Sequence, residues 1–251
     1  MTGARRARHP RGRVPLDRAL SKLGFASRTQ AQRLIVDGRV RVDDLIVNDP
    51  GQLVVPEQIA VTIDEVAQRR ESRRVIAFHK PRGVVTTRSD PAGRRTVFDV
   101  LGDAGRGLVV VGRLDMASTG LLLLTTDTRL AASLTDPARR VPRHYVVTVR
   151  GRVEPDVAVR LRHGLVVPAS GGGTERLSAE AIEIRKTSSR ETHLIVTLTE
   201  GKNREIRRLF DAIGHEVTRL HRIGFGSVSL GTLQPGDHRA VMPDEITGST
   251  R

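Results

Sequence analysis

The chain has 251 residues and a formal net charge of +14, from 42 Lys+Arg against 28 Asp+Glu, with no Cys, no Trp, five Phe and a sole tyrosine, Tyr145. The missing Cys excludes a disulfide framework, a Cys-ligated zinc site and an iron–sulfur cluster, and the scarcity of rings excludes a single-strand binder built on rows of stacking platforms. The excess of base over acid points to a polyanionic partner.

Residues 1–13 carry Arg5, Arg6, Arg8, Arg11 and Arg13 without an acid and with almost no apolar content, which predicts a disordered basic tail. It is either a solvated tail or an arm that touches nucleic-acid phosphates. Asp17, Arg18 and Lys22 interrupt any apolar stretch after Arg5-Arg6, so no signal peptide is expected and the cytoplasm is the default compartment. From Leu16, the residues Leu16, Ala19, Leu20 and Leu23 fall at helical spacing, and Gly24 ends the run. Ser27 then opens a second helix, with Gln30 placed to complete a capping box. Ala31, Leu34 and Ile35 form its buried stripe and Gly38 its stop. Val40 and Val42 alternate with Arg39 and Arg41 as a strand, Asp43-Asp44 turns the chain, and Leu45 to Val47 returns. A helix pair thus feeds a small hairpin, with Arg28, Arg33, Arg39 and Arg41 on its polar surfaces.

The run SRTQAQRLIVDGRVRVDDLIVND resembles the small RNA-binding domain named after ribosomal protein S-four. The resemblance implies a domain over 14–64 whose second helix and following loop present basic side chains to structured RNA.

Residues 65–74 (EVAQRRESRR) are charged, lack an apolar stripe, and are expected to link two domains. A second domain over 75–246, followed by a short tail at 247–251, has short apolar runs at 75–78, 84–85, 108–111, 121–124, 145–149 and 194–198. Helical stretches at 129–134, 155–163 and 203–213 interleave irregularly with them. This pattern predicts an α+β fold with a mixed, mostly antiparallel sheet. Residues 168–174 (PASGGGT) form a flexible surface loop. The longest uncharged stretch, Ile223 to Gly236, is too short and too polar to span a membrane.

Three runs in this domain could carry chemistry. In Val111-Gly112-Arg113-Leu114-Asp115, followed by Ser118-Thr119-Gly120 and four leucines, an Asp sits in a turn between two buried strands. Alone, it reads as an ordinary turn-former. His79-Lys80-Pro81-Arg82-Gly83 ends a strand with two cations at a tight turn. In Glu200-Gly201-Lys202-Asn203-Arg204-Glu205-Ile206-Arg207, Asn203 is placed to cap a helix whose core stripe is Ile206, Leu209, Phe210 and Ile213. Lys202 and Arg204 at that N-terminus oppose the helix dipole unless an anion compensates them.

Taken together and in order, HKPRGVVTTRSDP, VGRLDMASTGLLLLTTD, HYVVTVRG, EGKNREIRRLFDAIGHEV and RIGFGSVSLGTLQPG resemble the ribosomal pseudouridine synthases that carry an S-four-type domain, closest to the branch acting on the large subunit. The resemblance covers about residues 14 to 246. It implies that Asp115 is the essential catalytic residue, that Tyr145 stacks on the target base, and that Arg207 pairs with the carboxylate. It further implies that Arg113 fills the gap left by a flipped nucleotide, and that Lys80, Arg82, Lys202 and Arg204 join Arg28, Arg33, Arg39 and Arg41 in binding RNA. Departures exist: Thr125-Thr126-Asp127-Thr128 replaces a common T-N-D-G, and Arg143 replaces a common Lys.

That reaction detaches uracil from ribose and rejoins it through carbon. Nothing is oxidised or consumed, so no redox cofactor or metal is required. One carboxylate suffices as the acting group, and an Arg partner keeps it ionised and oriented. The target uridine must leave its stack, at a cost of a few kcal/mol. The expected partner is a ribosomal RNA stem-loop, bound by a monomer, with affinity that falls steeply with salt. Two other readings share these residues: a non-catalytic RNA-binding or ribosome-assembly protein, and a glycoside hydrolase, which would need a second carboxylate such as Glu200 or Asp127.

Overall fold

The computed structural model describes residues 12–68, 73–169 and 171–247. Residues 1–11 of the expected basic tail over 1–13, the centre of the expected linker and the C-terminal residues 248–251 lie outside them. The chain divides into two compact units, before and after the Arg73/Arg74 junction.

In the first unit β1 (Val14–Pro15) leads into α1 (Leu16–Lys22) and α2 (Arg28–Val36), then β2 (Val40–Val42), β3 (Leu45–Ile46), β4 (Leu53–Val54), β5 (Val61–Ile63) and β6 (Val66–Gln68). The capping box at α2 forms as the sequence predicts: Ser27 accepts from the Gln30 N–H, and Gln30 accepts from the Ser27 N–H. Asp43 and Asp44 both take positive φ, 48° and 66°, the geometry of a tight hairpin turn. The sheet order is β3-β2-β5-β6, and β1 pairs separately with β4. Leu16, Leu20, Ala31, Ile35, Val40 and Val61 are buried in one core. Asp17 is buried too, and its carboxylate accepts from Arg28 Nε at 3.0 Å and Gln32 Nε2 at 2.9 Å, tying α1 to α2. One correction concerns the linker. Val66–Gln68 is a strand paired with β5, because the turn at Asp64-Glu65, both at positive φ, folds the chain back onto the sheet.

The second unit contains β7 (Val75–Lys80), α3 (Val97–Leu101), β8 (Val109–Val111), β9 (Thr119–Thr125), α4 (Thr128–Thr135), β10 (Arg143–Arg150), α5 (Pro155–His163), β11 (Leu165–Pro168), β12 (Thr174–Leu177), β13 (Ala181–Thr187), β14 (Glu191–Leu198), α6 (Glu205–Asp211), β15 (Val217–Phe225), β16 (Val228–Ser229), β17 (His238–Ala240) and α7 (Pro243–Thr247). The main sheet runs β13-β14-β10-β15-β9-β7-β17, with β8 on β9 and β16 on β15. Among the described residues, β15 and β9 are the only parallel neighbours in this sheet. The sheet is therefore mixed and mostly antiparallel, in an α+β unit.

The four-leucine run explains the layering. Leu122 and Leu124 pack into one core, with Phe78, Val147 and Leu194, while Leu121 and Leu123 pack into the other, with Phe225 and Val228. A central strand covered on both faces has no polar alternation to show. The helix α3, which periodicity misses, is five residues long and is fixed by a second capping box between Thr96 and Asp99.

The parallel contact is unusually close. A Cβ on Gly120, which has φ 107°, would lie 2.2 Å from the Arg222 carbonyl oxygen and 2.6 Å from its nitrogen. Both are backbone atoms and cannot swing aside. Gly120→Ala is therefore expected to cost at least ~3 kcal/mol, the upper range for overpacking. Thermal unfolding checks this: an unchanged midpoint would show that β9 and β15 can separate freely.

Candidate active site

Asp115 stands on the loop between β8 and β9, where a turn closed by the Ser118 N–H to the Asp115 carbonyl at 3.0 Å fixes its backbone. Thr86 braces the preceding residue: its hydroxyl donates to the Leu114 carbonyl at 2.7 Å and accepts from the Leu114 N–H at 3.3 Å. Beneath the turn lies Lys80, which is 0% exposed. Its Nζ donates to the carbonyls of Ser118 at 2.8 Å and Pro81 at 3.1 Å, and lies 3.5 Å from that of Met116. Burial pushes the Lys80 pKa down to about 8; the Asp115 charge opposes this and the Arg222 charge adds to it. Lys80 is thus a strut under the Asp115 loop, and its expected role on the RNA surface is corrected. A strand-end cation looks surface-bound in sequence, but β7 lies between β9 and β17 with cores on both faces.

Arg207 reaches Asp115 from α6, with Nε 3.9 Å from Oδ2. Its Nη1 donates to the Val217 carbonyl at 2.8 Å, which orients the guanidinium from the far side. Burial, then the charge of Arg204, lowers the Arg207 pKa; Asp115 opposes this and Arg82 adds to it. The start of α6 differs from expectation. Asn203 does not cap it. Arg204 holds the cap position at φ 50° with no side-chain bond, and the Glu205 carboxylate reaches back to the Lys202 N–H at 3.1 Å. The helix starts at Glu205, with Arg204 in place of Asn203 as its cap, and the Glu205 N–H, which a capping Asn203 would have served, donates to the Lys202 carbonyl at 3.3 Å.

Tyr145 lies on β10, buried, with Arg222 directly across from it on β15. Asp115, Tyr145, Arg113, Glu205, Arg222 and Phe225 line one cavity of about 690 Å³, a size that holds a nucleotide. The cavity therefore unites Asp115 and Tyr145, with Arg207 paired to Asp115 behind the wall.

The other predicted residues separate into free and engaged. Arg82, Arg113 and Arg204 are exposed, and Arg113, Lys202 and Arg204 line the cavity. Lys202 is held by Glu200 at 2.6 Å and Glu175 at 3.8 Å, and the hydrogen bond it donates to Glu200 chiefly raises its pKa. In the first unit Arg39 makes a two-bond pair with Asp64, both at 2.6 Å, and Arg28 is tied to Asp17. Arg41 donates to the Asp44 carbonyl. Arg33 makes no ion pair among the described residues.

Three residues of the cavity escaped the sequence reading in this role: Arg143, Arg222 and Glu205. The available signal was a charge at a strand or helix position flanked by apolar neighbours, as in RHYVV, LHRIGF and REI. Burial raises the Glu205 pKa to about 7, against the Lys202 N–H, which lowers it. Its Oε1 is buried without a hydrogen-bond partner. Between about pH 4.5 and 7 the folded state holds a proton that the unfolded chain has released. Stability is then expected to fall as pH rises through this window, by on the order of 1 kcal/mol per unit. Denaturant unfolding at pH 5 and pH 7 should show the loss in the wild type and a flatter profile in Glu205→Gln; equal slopes would mean that Glu205 titrates normally.

Comparison with known proteins agrees with this architecture. The family model described as RNA pseudouridylate synthase matches residues 74–212, and the S4 domain model matches residues 14–59. An uncharacterized RNA pseudouridine synthase of Mycobacterium bovis is 39% identical over 244 residues, covering 96% of this chain and 94% of the relative. Proteins named ribosomal large subunit pseudouridine synthase B are also similar. The one from Yersinia pestis is 37% identical, covering 86% of this chain and 68% of its own length, and the one from Bacillus subtilis is 32% identical, covering 92% and 93%. A crystal structure of a pseudouridylate synthase shares the fold, with a TM-score of 0.64 at 24% identity over 93% of this chain and 98% of that one. The chain belongs to the RNA pseudouridylate synthase family, carries an S4 domain ahead of its synthase domain, and is an isomerase acting on RNA.

Proposed function

We propose that this protein converts a specific uridine of large-subunit ribosomal RNA to pseudouridine, with Asp115 as the acting group. The single observation that carries the site assignment is the meeting of Asp115 with Tyr145 in one cavity, Arg207 standing 3.9 Å from the carboxylate. The names of the Yersinia and Bacillus relatives support the large subunit as the source of the substrate.

The target uridine leaves its stack and enters the cavity, where the Tyr145 ring supplies a stacking face. Arg113, exposed at the cavity wall, occupies the gap the nucleotide leaves. Arg207 stands 3.9 Å from the carboxylate and holds it in place. The carboxylate assists departure of uracil from C1′, and the base returns through C5. Atoms and electrons are conserved, so the reaction itself calls for no cofactor. Residues 14–64 read a folded stem-loop, with Arg33 and Arg41 as the basic contacts least engaged in ion pairs, and residues 75–246 do the chemistry. Arg82 and Arg204 hold phosphates beside the cavity. The protein acts as a monomer in the cytoplasm. Among the described residues, no helix is long and apolar enough to cross a membrane.

Chemical mapping of pseudouridine in ribosomal RNA from a strain lacking the gene tests this. One modified position in the large-subunit RNA should disappear and return with the wild-type gene. Loss of a small-subunit position instead would overturn the substrate assignment.

A further inference from the structure

The cavity wall holds more buried positive charge than its carboxylates neutralise. Arg143 is 5% exposed and Arg222 is 3% exposed. Neither makes an ion pair with a carboxylate among the described residues. Arg143 instead donates to the carbonyls of Thr199 at 2.9 Å and Glu200 at 3.0 Å, and Arg222 Nε donates to the Leu121 carbonyl at 2.6 Å. Arg222 Nη2 is buried with no partner at all. Both guanidiniums lie over the Phe225 ring, 5.0 and 5.2 Å from its centroid. Burial chiefly lowers the pKa of both Arg143 and Lys80, and the charge of Arg222 adds to it. The carboxylates on the cavity wall are Asp115, Glu200 and Glu205; Glu200 is paired with Lys202 at 2.6 Å, and Glu205, with a pKa of about 7, is only partly ionised at neutral pH.

Burying cations without counter-charges is costly. A negative charge that develops beside them, away from bulk water, is stabilised in proportion. The ladder fixes where this would be felt. Tyr145 and Arg222 are direct partners on β10 and β15, so their side chains rise from the same face with Cβ atoms about 5 Å apart. A base lying on Tyr145 would therefore share its cavity with Arg222.

We propose that Arg222, backed by Arg143, stabilises uracil as an anion while it is detached from ribose. This rests on the uridine-to-pseudouridine reading above. As the C1′–N1 bond breaks, both electrons stay with N1 and spread to O2 and O4, while C1′ becomes electron-poor and faces the Asp115 carboxylate. The base turns, and a ring electron pair at C5 forms the C5–C1′ bond. The C5 proton then leaves to water and N1 takes up a proton, so the sum is an isomerisation. Arg222 acts through its charge, because solvent does not reach its free nitrogen.

Single-turnover conversion of in vitro transcribed large-subunit ribosomal RNA by the full-length protein tests the proposal. Arg222→Met should slow the reaction at saturating RNA by about 100-fold or more, the range lost on removing one oxyanion donor, with RNA affinity changed less than about threefold. Arg222→Lys keeps the charge and should recover most of the rate. Arg222→Gln, which retains a donor toward the Leu121 carbonyl, serves if the Met variant does not fold. The decisive readout uses RNA transcribed with 5-fluorouridine, with loss of the parent nucleoside as the signal. Fluorine withdraws electrons from the ring and stabilises its anion, so the deficit of Arg222→Met or Arg222→Gln relative to wild type should shrink several-fold. Equal deficits on both RNAs, or a folded variant at the wild-type rate, would overturn the proposal. Failure of the wild type to convert the unmodified RNA would instead overturn the function on which it rests.

Discussion

Asp115→Asn protein should form no measurable pseudouridine on large-subunit ribosomal RNA while binding that RNA with nearly wild-type affinity. The expected loss is roughly four orders of magnitude or more, the scale on which removal of an acting group is felt. The substitution is nearly isosteric and removes the charge that Arg207 faces at 3.9 Å. Fold stability should change little, because the loop is held by backbone bonds and by Lys80, which donates to the Ser118 and Pro81 carbonyls rather than to the carboxylate. A filter-binding isotherm alongside the activity assay separates the two effects. Full activity in the variant would mean that another group acts.

The second large effect belongs to Tyr145. Replacing the ring by an aliphatic chain, Tyr145→Leu, removes a stacking face worth about 1–3 kcal/mol, which corresponds to roughly five- to 150-fold in rate at saturating RNA. Tyr145→Phe keeps the ring and should retain RNA binding. Near-complete loss of binding in the Phe variant would instead assign the affinity to the hydroxyl. Because Tyr145 is also part of the main core, thermal unfolding of both variants must accompany the kinetics: a lowered midpoint for Leu alone would reflect packing, while a rate loss at an unchanged midpoint isolates stacking.

What was legible in the sequence was local. The Ser27–Gln30 capping box and the Asp43-Asp44 turn are set by side chains a few residues apart, and they form where the sequence predicts. The loop carrying Asp115 between two apolar strands was equally visible. Long-range features were not. Lys80 and Arg82 form one basic pair in sequence, yet Lys80 is buried under the Asp115 loop and Arg82 is exposed. The difference comes from β7 being flanked by β9 and β17. Arg143 and Arg222 lie inside strands whose alternation says only that they share a face with something. That this face is the wall of the Asp115 cavity depends on the β10–β15 register and on the close β9–β15 contact at Gly120. Asn203 misled because cap preference is a local rule, and here the Glu205 N–H donates to the Lys202 carbonyl instead of to an Asn203 side chain.

Under the proposed function the Asp115 cavity isomerises uridine rather than merely holding or hydrolysing it. Product analysis on large-subunit ribosomal RNA labelled with tritium at C5 of uridine tests this most directly. Forming the C5–C1′ bond expels the C5 hydrogen, so up to one equivalent of tritium should be released to water per RNA, matched by one pseudouridine and no free uracil. Free uracil that retains its tritium, or bound RNA that releases none, would contradict it.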